Sequence, residues 1–317
     1  MTSWIWMKGI DAAIAEKPID PVCPEDHRPA VADLIKKHSE KIAKIKGVLE
    51  DDPLYNPTKH DDLWILRFWL SHKKSKTAIA AAKHTLEFRD KHKLDEKDIR
   101  SVPPHQVKLK GDNNSNNNDN EQDDDMHTQK VAEFMSKWKR DAMVLTLPDK
   151  ERGVVGFIRI KSMDHHKLVA EMSEDYWLDI YLYISEWAHQ WLDYVTRTTG
   201  RLTKSIRIVD GSGLSIRMFN RECSMRDGRA MALMEDCYPQ SLEVVYLCDP
   251  PAFIKAVWKI LTLVVPKRVM EKFDMINPTK NEKEREHLYR HISNDNLPVE
   301  YGGKNKVAVE DWSVPVA

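Results

Sequence analysis

The stretch that decides the fold is residues 250–268, PPAFIKAVWKILTLVVPKR. Prolines bound its apolar centre, and between Pro251 and Pro266 only Lys255 and Lys259 are charged. A helix over this centre would be about 21 Å long, whereas a helix that spans a bilayer needs about 20 apolar residues. The stretch is nevertheless more apolar than an ordinary surface helix. It therefore predicts either a helix of the protein core or a helix that covers an apolar ligand.

The predicted helix is amphipathic. Its two lysines lie four residues apart and share one helix face. The apolar residues fall largely on the other side, namely Phe253, Val257, Ile260, Leu261 and Val264. Such a helix can close over an acyl chain and can also lie in a membrane interface.

The composition of the 317-residue chain excludes several classes of protein. Lys and Arg total 49 and Asp and Glu total 50, so the net charge is −1 and no global field favours nucleic acid. The four cysteines match no zinc or CxxC spacing, and we expect reduced thiols. Lys8 and Asp11 interrupt the apolar N-terminal residues, so we expect no signal peptide. No window offers about 18 uncharged apolar residues. We therefore expect a cytoplasmic monomer that meets membranes peripherally, from the aqueous side.

The first hundred residues predict a small helical domain. Apolar residues recur at helical spacing over residues 31–50. Residues 61–74, DDLWILRFWLSHKK, predict a short buried helix with Asp61 or Asp62 as its N-cap. A third helix is predicted over residues 75–93, with Ser75 as its N-cap.

A polar stretch then separates this domain from the rest of the chain. Residues 111–125, GDNNSNNNDNEQDDD, contain no apolar side chain and predict a disordered loop, either a regulatory tether or a tolerated insertion. We divide the chain into an N-terminal extension, a helical domain, the acidic and Asn-rich loop, a larger domain and a C-terminal tail, at residues 1–27, 28–105, 106–127, 128–304 and 305–317.

Helices and strands alternate after residue 128. Helices are predicted over residues 131–143, 173–200 and 222–239, and strands over residues 153–163, 205–215 and 242–251. The long aromatic-rich helix has Ser173 or Asp175 as its N-cap and Gly200 as its stop. This order predicts an α/β fold with a mostly parallel sheet.

The motifs, taken in order, resemble one family. They are LRFWL at 66–70, the turn DKERGVVGF at 149–157, IVDGSGLS at 208–215, YPQSLEVVYLCDPPAFIKAVWKIL at 238–261 and NDNLPVEYGG at 294–303. Over about residues 60–303 the sequence resembles the CRAL-TRIO lipid-binding and lipid-transfer family. The resemblance implies an N-terminal helical domain followed by an α/β CRAL-TRIO lipid-binding domain. In that family the amphipathic helix after the proline turn is a gate over an apolar cavity that holds one lipid.

The resemblance also implies a headgroup site. In members that bind phosphatidylinositol, the headgroup meets a basic pair on the N-terminal domain, the Glu of a YPER motif and a Lys beyond the gate helix. The matching positions here are His72 and Lys73, Gln240, and Lys272. Lys73 and Lys272 can still neutralise a phosphate, whereas Gln240 offers a hydrogen bond without the charge.

A choline headgroup fits the sequence less well. In members that bind phosphatidylcholine, hydroxyls on the strand before VDxxG receive the phosphate and tyrosines surround the choline. Here that strand offers Ser205 but has Arg207 at the next such position, and Gly156 stands where such members have Tyr. If Arg207 points into the cavity, it favours an anionic group; the alternative is an outward Arg207 in a surface ion pair.

Other stretches predict no catalytic or metal chemistry. VDGSG lacks the GK[ST] of a P-loop, and no stretch is a GxSxG nucleophile elbow. The pair His165 and His166 has no partner motif for a metal. Asp210 is expected to be a structural turn residue. The cluster Lys267, Arg268 and Lys272 predicts either a contact with anionic membrane lipids or a solvated face.

We therefore expect a protein without enzymatic activity that binds a phospholipid as ligand, exchanges it during transient contact with a membrane and needs no cofactor or metal. Phosphatidylinositol is the expected lipid. Two alternatives stay open: a carrier of a tocopherol-like or retinoid-like hydrophobe, and a lipid-sensing module that recruits partners. An α/β hydrolase or oxidoreductase would need a nucleophile–base set or a dinucleotide loop, and the sequence has neither.

Overall fold

The fold is seen in a computed structural model that describes residues 28–100, 104, 107, 128–137, 143–146, 154–261, 267–292, 294 and 297–304. The predicted N-terminal extension, the C-terminal tail and the stretch 111–125 lie outside these residues. The three cysteines that are described, Cys223, Cys237 and Cys248, are buried free thiols.

Three helices form the first part of the described chain, as predicted. They are α1 (Val31–Leu49), α2 (Asp62–His72) and α3 (Ser75–Lys91). Asp61 is the N-cap of α2, because its carboxylate accepts a hydrogen bond from the Trp64 amide at 3.0 Å. The prediction for Ser75 is wrong: the N-cap is Lys74, and no side chain caps α3. Since Ser75 is already the first helical residue, its hydroxyl stands one position too late to cap.

A five-stranded sheet follows, with its strands in chain order: β1 (Met143–Thr146), β2 (Val155–Arg159), β3 (Ser205–Asp210), β4 (Leu242–Cys248) and β5 (Phe273–Ile276). β1 pairs antiparallel with β2, and all other pairs are parallel. The α/β fold with a mostly parallel sheet is therefore confirmed. Met143 begins β1 and does not end a helix as predicted, because it pairs with Ile158 of β2.

Among the described residues, seven further α-helices connect and flank these strands. They are α4 (Thr128–Lys137), α5 (His165–Glu171), α6 (Glu174–Thr199), α7 (Arg221–Cys237), α8 (Ile254–Leu261), α9 (Lys267–Met270) and α10 (Glu282–Tyr289). Ser173 is the N-cap of α6, since its hydroxyl accepts from the Tyr176 amide at 3.1 Å, and Gly200 ends the helix with φ +64°. Both features were predicted.

Alternation along the strands divides the sheet into two apolar faces. On one face, Ile206 and Ile208 of β3 pack with Phe157 of β2 and with Leu288 of α10 in one buried cluster. On the other face, Val209 of β3 and its neighbours face helices α5, α6, α7 and α8. Because both faces are covered, apolar side chains occupy both alternating sets of strand positions.

The long helix α6 joins the sheet to the first three helices. A single buried cluster contains residues of α1–α3 together with Trp187 and Leu192 of α6. Two buried ion pairs cross this contact: Arg67 of α2 with Asp193 at 3.2 Å, and Arg89 of α3 with Glu186 at 3.0 Å. The division into separate domains at residues 105 and 128 stays a prediction.

Residues 297–303 close the sheet face that lies away from α6. Tyr301 is 2% exposed and packs edge-on against Phe157, with ring centroids 5.7 Å apart. Gly302 has φ +84°, and a Cβ on Gly303 would lie 1.9 Å from the Leu297 carbonyl oxygen. Only glycine fits this tight turn, and the turn holds Tyr301 on the sheet.

Candidate functional site

The candidate site is a cavity of about 220 Å³ between the sheet and helices α5–α8. Its wall is mostly apolar and includes Ile180 of α6, Val209 of β3, Leu247 of β4 and Trp258 of α8. Two charged side chains interrupt this apolar wall: Arg207 of β3 and Asp227 of α7.

Arg207 lies at the wall of the cavity and is half-buried. It belongs to the same sheet face as Val209, two residues along β3. Within the described residues, no ion pair or side-chain hydrogen bond engages its guanidinium. The arrangement therefore differs from the surface ion pair that the sequence also allowed.

Asp227 was not found by sequence reasoning. Its Oδ1 accepts two hydrogen bonds, from Trp177 Nε1 at 2.9 Å and from Tyr181 Oη at 2.9 Å. Burial raises the pKa of Asp227 to about 6, although these two hydrogen bonds oppose the shift. In the sequence, Asp227 stands between Arg226 and Arg229 and resembles a solvated helix face, so no local pattern marked it.

Ser205 has its hydroxyl occupied by the protein itself. It is buried, and Oγ donates a hydrogen bond to the Ser241 carbonyl oxygen at 2.7 Å. With Arg207 and Glu235 it lines a smaller pocket of about 50 Å³ beside the main cavity. Ser205 and Arg207 thus lie together, as the sequence predicted, with Arg207 common to both spaces.

The other predicted headgroup residues lie where α2, α7 and α9 meet. Gln240 Nε2 donates to Ser71 Oγ at 3.0 Å, which joins the turn before β4 to the end of α2. Burial lowers the pKa of the neighbouring His72, and Arg268 lowers it further, whereas Asp236 opposes the shift. Lys73 ends α2 in the left-handed conformation and is exposed.

Two cations at this outer cluster are already paired. Lys272 Nζ lies 2.8 Å from Glu235 Oε1, and Arg268 forms an ion pair with Asp236. A phosphate would therefore compete with two carboxylates there. Lys267, the third member of the predicted basic cluster, points outward with a side-chain exposure of 91%.

The predicted gate helix is present as α8, which is described from Ile254 to Leu261. Ile254 is buried, and Trp258 packs edge-on against Phe273 of β5 with centroids 4.9 Å apart. Phe253 is half-buried just before the helix and packs beside Ile254. The other predicted gate residues are not covered by the description. The structure describes the backbone but not the side chains of Val257, Ile260 and Leu261, and Val264 lies outside the described residues.

The aromatic residues of α6 divide between two surroundings. Trp177 and Tyr181 border the cavity. Trp187 instead faces the first helices, where its Nε1 donates to the Arg100 carbonyl oxygen at 3.2 Å. The helix thus uses its aromatic side chains both for the core and for the wall of the cavity.

The remaining predicted turn and metal features are local. Asp210 Oδ1 accepts from the Ser212 amide at 2.8 Å at the end of β3, which is the structural turn that was predicted. His165 borders the cavity, while His166 is exposed. Across the part of the chain that the structure describes, no three His, Cys, Asp or Glu side chains come together as metal ligands. In the same residues, no helix is long and apolar enough to span a bilayer.

Comparisons with known proteins agree with this geometry. The family model of the CRAL/TRIO domain matches residues 139–303, more than half of the chain. Among solved structures, the crystal structure of Sfh5 is similar, with 16% sequence identity, a TM-score of 0.51 and coverage of 88% of each chain. At this identity the likeness to Sfh5 is one of fold.

Proposed function

Because the chain belongs to the CRAL/TRIO family of lipid-binding and lipid-transfer domains, we propose that it carries one anionic phospholipid, such as phosphatidylinositol, between membranes. The lipid's acyl chains occupy the cavity between the sheet and α5–α8. The protein works by binding and exchange, without catalysis, as a cytoplasmic monomer that visits membranes transiently.

Arg207 is the observation that carries this proposal. A half-buried guanidinium in a mostly apolar wall, without an ionic partner among the described residues, is costly unless a ligand supplies the anion. Arginine also matches the planar, two-point hydrogen bonding of a phosphate. A lipid phosphate beside Arg207 would remove this cost and would leave the acyl chains among apolar side chains.

The size of the cavity indicates that binding requires movement. About 220 Å³ is less than the roughly 300–1,000 Å³ of typical ligand pockets. The short helix α8, which contributes Ile254 and Trp258 to the wall, is the element that we propose to move. Its opening at a membrane surface would admit the lipid, and its return would cover the acyl chains.

The outer cluster of His72, Lys73, Gln240 and Lys272 is a second proposed contact for the headgroup. Lys73 is exposed there, whereas Lys272 would have to exchange its partner Glu235 for the phosphate. Replacing both lysines by methionine therefore tests whether the headgroup reaches this cluster. We expect this double variant to lose less lipid exchange than Arg207→Met does.

The test is to identify and then perturb the bound lipid. Mass spectrometry under native and then denaturing conditions should find one co-purifying anionic phospholipid per chain. Arg207→Met should lower its exchange between vesicles by roughly tenfold or more, which is the contribution of a hydrogen bond to a charged group. Lys44→Met, which removes an exposed cation of α1, is the matched control and should exchange normally. Normal exchange by Arg207→Met would overturn the proposed role of Arg207.

A carrier of a neutral hydrophobe is the second candidate, and the small volume of the closed cavity favours it. A tocopherol-like or retinoid-like ligand needs one polar contact and no phosphate. Recovery of such a compound from both the wild type and Arg207→Met would support this candidate over the first.

A further inference from the structure

The cavity contains two opposite charges that do not pair with each other. Arg207 and Asp227 both border the space next to Tyr181: Tyr181 Oη donates to Asp227, and Arg207 influences the ionisation of the same tyrosine. Both charges line the cavity, and none of the ion pairs among the described residues joins them. A ligand group can therefore meet both of them.

The carboxylate of Asp227 is oriented with one oxygen left to accept. Trp177 and Tyr181 both donate to Oδ1, from one side of α6. Within the described residues, no hydrogen bond or ion pair engages Oδ2. Both donors are neutral, so the protein fixes the direction of the carboxylate without neutralising its charge.

Two fully buried acids near α6 are treated differently. Asp193 lies against Arg67 and Arg197, and Glu186 lies against Arg89. Removing a carboxylate from water without giving it a cation is destabilising. Asp227 is half-buried in the mostly apolar wall of the cavity, where a ligand can supply the compensating donor.

We propose that Asp227, held by Trp177 and Tyr181, binds the hydrogen-bond donors of the lipid headgroup while Arg207 binds its phosphate. The inference rests on the proposed phospholipid function and narrows its ligand. The selected class is glycerophospholipids whose headgroup donates hydrogen bonds, through hydroxyls as in inositol and glycerol or through a primary ammonium as in serine and ethanolamine. Choline carries a positive charge but no N–H or O–H, and is therefore disfavoured.

A series of lipids tests this without changing the protein. Wild-type full-length chain is incubated with vesicles that contain phosphatidylethanolamine and its N-methyl, N,N-dimethyl and N,N,N-trimethyl (choline) forms in equal amounts. The bound lipids are then recovered and quantified. The charge is constant along the series and the donors decrease to none. We expect a fall of roughly tenfold at the choline form, the contribution of one hydrogen bond to a charged group. Equal recovery of all four would overturn the proposal.

A second arm separates the two kinds of donor and tests Asp227 directly. Vesicles of phosphatidylinositol, phosphatidylglycerol, phosphatidylserine and phosphatidylcholine are offered to the wild type, to Asp227→Asn and to the control Lys44→Met. The wild type should prefer the donor-bearing lipids, whether by their hydroxyls or by the ammonium. Asn keeps an oxygen that accepts from Trp177 and Tyr181, but it replaces Oδ2 by the amide NH2, which donates. The preference for donor-bearing lipids should therefore fall about tenfold, while the total amount of bound lipid is kept.

The outcomes separate the two proposals. If Asp227→Asn keeps both the total lipid and the preference, the role of Asp227 is wrong and phospholipid binding survives. If the wild type binds no phospholipid in either arm, the proposed function fails, and this inference fails with it. If the variant does not fold, the methylation series with the wild type still decides.

Discussion

Two aspartates, one between α2 and α6 and one in the wall of the cavity, are treated in opposite ways. Asp193 lies between α2 and α6, where Arg67 and Arg197 both contact it, at 3.2 and 2.6 Å. Burial would raise the pKa of Asp193, but Arg197 and Arg67 outweigh burial and lower it to about 2. Asp227 in the cavity receives only neutral donors, and burial raises its pKa to about 6. The same side chain is thus stabilised as an anion in one region and destabilised in the other.

The difference separates charges that are paired within the fold from charges that are not. At the contact between α6 and the first helices the buried charges form ion pairs, and Arg89 pairs with Glu186 there as well. In the cavity wall, Arg207 and Asp227 have no ionic partner among the described residues. One substitution is enough to remove a destabilising charge. Two charged side chains without ionic partners in one cavity therefore indicate ligand binding more strongly than an ion pair does.

The largest expected effect is the loss of Asp193. Asp193→Asn leaves Arg67 buried without an anion and should lower the free energy of unfolding by about 3–5 kcal/mol at pH 7. The folded pKa lies below the unfolded value, so this stabilisation is present above pH about 4 and is lost as the pH falls towards 2. Urea unfolding at several pH values measures it. A difference between variant and wild type that did not shrink below pH 4 would contradict the ionic explanation.

Asp227→Asn should act in the opposite direction and more weakly. The folded pKa of Asp227 lies above the unfolded value of about 3.9, so its ionisation costs stability as the pH rises through 4 to 6. In protein stripped of lipid, the variant should be more stable than the wild type by about 1–3 kcal/mol at pH 8 and equal to it at pH 4. The same unfolding series serves both aspartates. A variant less stable than the wild type at pH 8 would show that the comparison is wrong.

The smallest expected effect is that of a substitution at Ser173, which serves as an uncharged reference for the two aspartate variants. Ser173→Ala removes the N-cap of α6 and should cost about 1 kcal/mol. Because a hydroxyl does not titrate in this range, the cost should be the same at pH 4 and pH 8. A cost that varied with pH would mean that the pH profiles of the aspartate variants include a general change in α6.

Sequence patterns predicted what local chemistry determines. Asp61 and Ser173 begin helices, and Gly200 ends one, for reasons contained in their own neighbourhoods. The alternation of β3 and β4 follows from two covered faces. The antiparallel strand β1 was missed because its four residues become a strand only by pairing with β2. β5 and α10 were also missed, since FDMI at 273–276 is too short to show a period.

The candidate site likewise contains residues that the sequence could place and residues that only the packing of the helices brings together. The sequence was sufficient to place Arg207 beside Ser205, because the two residues lie on one strand, two positions apart. Asp227 depends on Trp177 and Tyr181, which lie 50 and 46 residues away along the chain. Its partners are assigned only when α6 and α7 pack together. Likewise, nothing near Lys272 in the sequence indicated that Glu235 would neutralise it.

The tight turn at Gly303 has a consequence for the order in which the protein is made. Tyr301 covers Phe157, which the ribosome synthesises more than a hundred residues earlier. The helices α1–α3 and α6 can already associate at that stage, but one apolar face of the sheet waits for residues 297–303. A nascent chain paused before this point carries an exposed sheet face, which is the kind of surface that chaperones bind. Completion of the fold is thus coupled to the last motif of the domain.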